Sequence, residues 1–209
     1  MAVIWSWAFG AETHTELALM GWTGVSANTV PTSAYTYTYA TFPGTKYSLA
    51  TRRDNEIQAP VSLPAQGSVT AAIFSANAFD SGFRPLLEVV GSSGGQSIIF
   101  RCTNSSTNTI SAQINGYTVG EVALSRATWH YLSITYDISG TTWSASFYAN
   151  GVLVASGTRS ASAETAGNLR SGGFADFDSS FPLDPYTGLI GQMIAYDSII
   201  SYLNSLFCF

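Results

Sequence analysis

Charge is what this sequence has least of. Asp, Glu, Lys and Arg make up 10% of its 209 residues, against roughly 25% in an ordinary globular domain. Lysine occurs once, at Lys46, and the net charge is −5. Without a basic cluster to neutralise a phosphate backbone, nucleic-acid binding is excluded. The density of Glu, Lys, Ala and Leu that a coiled coil or helical bundle requires is missing. No apolar run reaches the roughly 18 residues of a membrane-spanning helix. The opening Met1–Gly10 is apolar but short and has no basic flank, so a secretory signal peptide is not expected there. Two cysteines, Cys102 and Cys208, are too few for a disulfide framework. Cys102 shares the parity of Ile98 and Phe100 and reads as a buried thiol, with a bridge to Cys208 left open.

What remains is hydroxyls, aromatics and glycine. The chain is 46% apolar and 13% aromatic, which excludes a disordered polymer. Its abundant Thr, Tyr, Phe and Val favour strands, and its 19 glycines supply turns. The length allows one core burying roughly 70% of the unfolded surface, so a single domain over residues 1–209 is expected. Turn signals recur roughly every eight to twelve residues, the spacing of an all-β sandwich or barrel with little helix.

Alternation places the strands. Val3, Trp5, Trp7 and Phe9 share one face of an opening strand. Asn115-Gly116 and Asn150-Gly151 are the preferred residues for two-residue hairpin turns, whose central positions need positive φ. The first joins Thr109–Ile114 to Tyr117–Val122, and the second joins Trp143–Ala149 to Val152–Ser156. Between the hairpins, Trp129–Asp137 sets Leu132, Ile134 and Tyr136 on one side. Further strands are read at 46–50, 69–75, 86–90, 98–103 and 189–196. A short helix is read only at 199–206. Gly91–Gly95 and Ser171–Gly173 read as loops.

The run Trp129-His130-Tyr131-Leu132-Ser133-Ile134-Thr135-Tyr136-Asp137, continued by Phe147-Tyr148-Ala149-Asn150-Gly151-Val152-Leu153-Val154, resembles the central hairpin of laminin G-like and pentraxin-like domains. Gly188, Ile190, Met193, Tyr196, Ile200 and Ser201 fall at the offsets of that family's last strand and the turn after it. The resemblance implies an antiparallel jelly-roll β-sandwich of concanavalin A-like type. It says little about function, because the fold hosts lectins, hydrolases, adhesion modules and viral surface proteins. One departure stands out. Where many members follow the glycine of the last strand with Ile-Asp, this chain has Gly191-Gln192, which suits a face covered by another subunit or simple drift.

Catalytic patterns are scarce. Paired carboxylates at alternate positions, as glycoside hydrolysis needs, do not occur in a Glu-x-Asp-x-x-Glu arrangement. Asp54/Glu56 reads as a turn with local ion pairs. Gly-x-Ser-x-Gly and phosphate-loop motifs are missing. An enzyme is therefore not expected. Asp176, Asp178 and Asp184 lie in an acidic loop that offers oxygens for calcium, or is a set of solvated acids. The resemblance adds weight to the calcium alternative, since relatives often carry that ion near a sandwich rim, but the three residues match no ligand pattern of the family and solvated acids are the preferred reading. His14 and His130 do not make a metal centre by themselves. Tyr35, Tyr37 and Tyr39 share one face of an extended segment, either stacking on sugars or filling the core. Trp22 and Trp143 are weighed in the same way, with a core role preferred.

Two functions follow as expectations. One is a non-enzymatic structural component of a virion, such as a capsid decoration or tail protein. It would associate with copies of itself or with other virion proteins, because low charge removes a barrier to association and no export signal is read. The alternative is a carbohydrate-binding lectin module contacting surface glycans, in the virion or otherwise extracellular. A glycoside hydrolase ranks below both.

Overall fold

The structure, a computed structural model, describes residues 2–8, 19–23, 30–32, 48–51, 57–75, 85–104, 109–125, 128–171 and 188–199. Fourteen strands are described. They are β1 (Val3–Ala8), β2 (Val30–Thr32), β3 (Ser48–Thr51), β4 (Ile57–Pro64), β5 (Gln66–Ser75), β6 (Pro85–Gly91) and β7 (Ser97–Asn104). They continue as β8 (Thr109–Ile114), β9 (Tyr117–Ala123), β10 (Thr128–Asp137), β11 (Thr142–Ala149), β12 (Val152–Ser160), β13 (Ala166–Ser171) and β14 (Gly188–Tyr196). They form two antiparallel sheets. The larger runs β12-β11-β10-β5-β14-β3-β2, with β1 also paired to β14, and the smaller runs β4-β13-β6-β7-β8-β9. The jelly-roll sandwich expected from the sequence is the fold observed.

Alternation explains the core. In β11, Trp143, Ala145, Phe147 and Ala149 are buried, while Ser144, Ser146 and Tyr148 between them are half-exposed. Leu132, Ile134 and Tyr136 of β10 join the same core, as do Ile98 and Phe100 of β7 from the facing sheet. Phe100 and Phe147 meet edge to face, with ring centroids 5.1 Å apart, a geometry worth about 1 kcal/mol beyond burial. At one side of the sandwich, β9 and β12 close the two sheets together. There a Cβ on Gly120 would sit on the methyl of Ala155, so glycine permits the approach.

Both Asn-Gly turns form as read, with Asn115 at φ +50° and Asn150 at φ +48°. Each asparagine also clamps the neighbouring strand. Asn115 Oδ1 accepts from Ser97 N at 3.1 Å, and Asn150 Oδ1 accepts from Tyr131 N at 3.0 Å. The Asn150 amide then donates to His130 Nδ1 at 2.8 Å, and His130 Nε2 lies 2.8 Å from the Ser125 carbonyl. A carbonyl only accepts, so Nε2 carries the proton. His130 is thus a buried, fully bonded histidine.

Three strands escape the sequence reading: β2, β4 and β13. Pro60 and Pro64 disguise β4, but it is an edge strand, where proline is tolerated. Ser171, read as loop, ends β13, and its hydroxyl donates to Leu86 O at 2.5 Å. Several other strands run longer than read, such as β12, which extends to Ser160.

Candidate functional site

The alternate residues of β10, β11 and β12 that point away from the core form a lattice of hydroxyls. Ser156 of β12 pairs with Ser146 of β11, and Ser146 with Thr135 of β10. One rung along, Thr158 pairs with Ser144, and Ser144 with Asp137. Strands about 4.8 Å apart set the hydroxyls at that spacing across the sheet. They line an open depression of about 320 Å³, walled at one side by Ile199, which follows β14 and is 58% exposed. That segment is pinned over the sheet where Ser68 donates to Ser198 O at 2.9 Å.

The lattice divides into bonded and unbonded parts. Nearer the middle of the sheet, Thr70 and Ser133 hydroxyls bond each other at 2.9 Å. Among the described residues, Thr135, Ser144, Ser146, Ser156 and Thr158 have no side-chain partner. Ser144, Ser146, Ser156 and Thr158, which are half-exposed or exposed, therefore keep both donor and acceptor capacity for a ligand or water, while Thr135 is 8% exposed.

At the rim stands Asp137. Its Oδ2 accepts from Gln66 Nε2 at 2.8 Å, and its Oδ1 accepts from the Ser139 amide at 2.9 Å and hydroxyl at 2.6 Å. Burial pushes its carboxyl upward, but these hydrogen bonds outweigh burial and hold it below the usual carboxylate range.

The outer face of the smaller sheet is different. Glu88 pairs with Arg170 and Ile99, and Ile99 pairs with Gln113. Gln113 is 2% exposed and donates to Ser111 at 2.8 Å and Thr118 at 3.1 Å. Arg170 donates to Gln58 at 3.3 Å. Glu88 and Glu121 stand on strands three steps apart, about 14 Å, beyond the roughly 9.5 Å limit for a glycosidase pair. A further buried carboxylate, Glu164, accepts from Ser92 at 3.0 Å and from the amide and hydroxyl of Ser93. It fastens the β12–β13 connection to the β6–β7 turn.

Trp22 is 2% exposed and packs in the core, its ring 5.6 Å from that of Trp5. Trp143 is likewise in the core, donating its ring N–H to Ser162 O at 2.8 Å. Tyr35, Tyr37, Tyr39, Asp176, Asp178 and Asp184 lie outside the described residues, as do the side chains of Cys102 and Cys208. Among the described residues, no three His, Cys, Asp or Glu side chains gather as a metal site. The hydroxyl lattice was not singled out from sequence. Its signal was there, in the alternation of Thr142-Trp143-Ser144-Ala145-Ser146-Phe147, but which hydroxyls lack partners depends on tertiary contacts.

Comparison with known proteins places this architecture. Domain 4 of AbnA, an extracellular arabinanase from Geobacillus stearothermophilus solved with arabinotriose, superposes with a TM-score of 0.55 at 14% identity, over 85% of this chain and 79% of that one. The catalytic domain of a glycoside hydrolase family 131 protein from Coprinopsis cinerea gives 0.56 at 13% identity, over 97% of both chains. A Trypanosoma rangeli sialidase solved with the inhibitor DANA gives 0.55 at 12% identity, over 75% of this chain but only 26% of that one. At these identities the likeness is one of fold. No curated protein sequence matches the chain. The family model of the concanavalin A-like lectin/glucanases superfamily (Laminin_G_3) matches residues 52–201, and the chain belongs to that family.

Proposed function

We propose that this protein is a non-enzymatic carbohydrate-binding module and that the hydroxyl-lined depression on β10, β11 and β12 is its glycan site. The observation that carries the reading is the set of five hydroxyls in register across β10, β11 and β12, without side-chain partners among the described residues and walled at one side by Ile199. A sugar presents hydroxyls at its edge and C–H groups on its faces. The lattice offers donors and acceptors for the first, and Ile199 an apolar wall for the second. Family membership in a lectin and glucanase superfamily supports the reading, and so does an arabinotriose-bound relative of the same fold, although fold alone does not assign function. The non-enzymatic part of the reading rests on the sequence, in which no Glu-x-Asp-x-x-Glu arrangement occurs. The experiment is a glycan array followed by calorimetry on each hit. Retention of at least one glycan family, lost in Ser146→Ala combined with Ser156→Ala, is expected. Retention of none refutes the module.

A second reading, a copy-rich structural component of a particle such as a virion, draws on the 10% charged content. It also draws on Val152 and Leu153, which are 69% and 53% exposed beside the Asn150-Gly151 turn. Such surface favours association. Sedimentation at high micromolar concentration tests it: a strict monomer removes this reading and leaves the first untouched.

A further inference from the structure

We infer that the depression on β10, β11 and β12 takes an uncharged saccharide and turns acid sugars away. This deepens the carbohydrate-binding reading and rests on it. The argument is the distribution of charge around the site. The hydroxyls that line the depression are neutral. A charged side chain beside it among the described residues is Asp137, directly across from Ser144 in the β10–β11 register. Three donors fix its carboxylate in place at the rim, so it is not free to swing away from an approaching anion.

No described cation offsets it. Arg159 belongs to β12, but its guanidinium lies 5.4 Å from the centre of the Tyr117 ring and donates to Thr158 O. Tyr117 begins β9, so Arg159 reaches across the closed edge toward the other sheet. Arg101 and Arg170 are in that other sheet. A sialic or uronic acid seated here would therefore meet a fixed negative charge and, among the described residues, no guanidinium to pair with its carboxylate, the group that usually recognises one. A neutral sugar meets only hydrogen-bonding groups, and the Asp137 carboxylate can accept from its hydroxyls.

The test is an array of neutral oligosaccharides printed beside their sialylated and uronic counterparts, with calorimetry on matched pairs. The expected result is at least tenfold tighter binding of the neutral member. That preference narrows as salt rises, because the Debye length falls from about 10 Å at 0.1 M to about 3 Å at 1 M. Asp137→Asn, which keeps the shape and can still accept from Ser139, should bring the two members within about threefold of each other. Equal or tighter binding of the acid members by the natural sequence overturns the inference and leaves the module reading standing. A neutral preference that survives Asp137→Asn unchanged overturns it as well, because the selectivity then has another source. Binding of no glycan removes the module reading itself. Melting curves for both proteins, expected to differ by no more than about 2 °C, show that the substitution acts on selectivity rather than on folding.

Discussion

The two sheets share one core and part company on their outer faces. The smaller sheet carries Glu88, Arg170, Ser111 and Gln113 outward, yet Ser111 is fully buried, Gln113 is 2% exposed and Glu88 is 9% exposed. These groups are spent on one another and on other parts of the chain. The β10–β12 part of the larger sheet carries Ser144, Ser146, Ser156 and Thr158 beside a rim carboxylate, and these hydroxyls are half-exposed or exposed, with no side-chain partner among the described residues. Richness in polar groups is thus a poor guide to a binding face. A polar side chain already bonded within the protein contributes structure, because leaving it buried and unsatisfied costs about 1–3 kcal/mol. A hydroxyl that is accessible and unbonded is available to a ligand at little structural cost.

That contrast breaks most visibly where bonded groups are removed. Gln113→Ala deletes the donor to Ser111 and Thr118 and leaves a void in a packed face. A loss of about 3 kcal/mol is expected in denaturant unfolding, with glycan binding intact. Next comes the turn that holds the open face in register. Asn150→Ala places alanine at φ +48° and strips the partner from His130 Nδ1, for an expected loss of about 2 kcal/mol. Asn115→Ala should cost less, since Asn115 reaches no imidazole and its second bond, to Ser160 O, is 3.3 Å long. Equal losses at the two turns would show that turn geometry alone, and not the histidine network, sets the cost.

On the open face the effects reverse. Ser146→Ala is expected to change stability by less than about 0.5 kcal/mol while weakening glycan binding about tenfold, roughly 1.4 kcal/mol. What the sequence could reveal follows the same division. Asn-Gly turns and alternation are local signals, so both hairpins, the Trp129–Asp137 strand and the core parity of Trp143 and Phe147 were legible. Strand β4 was not, because edge position makes Pro60 tolerable and edge position is a property of the whole sheet. For Trp22 the sequence favoured the core over a ligand, and its packing on Trp5 agrees. The site hydroxyls were legible as an outward stripe, but nothing local distinguishes Ser146, left unbonded, from Ser133, bonded to Thr70 on a strand far away in sequence.

The smallest expected effect concerns pH and isolates Asp137. Its folded carboxyl lies below its ordinary value of 3.8 because the Ser139 and Gln66 hydrogen bonds favour the ionised form more than burial opposes it. A carboxyl shifted in this direction binds its proton more readily in the unfolded chain. Its contribution to stability is therefore fully present above the unfolded value and is lost as pH falls through the folded one. The stability difference between the natural sequence and Asp137→Asn should stay constant from neutral pH down to about pH 5, then shrink below about pH 4. Because Asp137 is partly solvated, the whole difference should amount to a few tenths of a kcal/mol. Glu164, also held below its ordinary value by Ser93 and Ser92, titrates in both proteins and cancels from the comparison. A difference that did not change between pH 5 and pH 2 would mean that the donors around Asp137 hold the neutral carboxyl as well as the charged one. In that case the carboxylate at the rim would not be anchored by its charge, and its repulsion of an acid sugar would weaken with it.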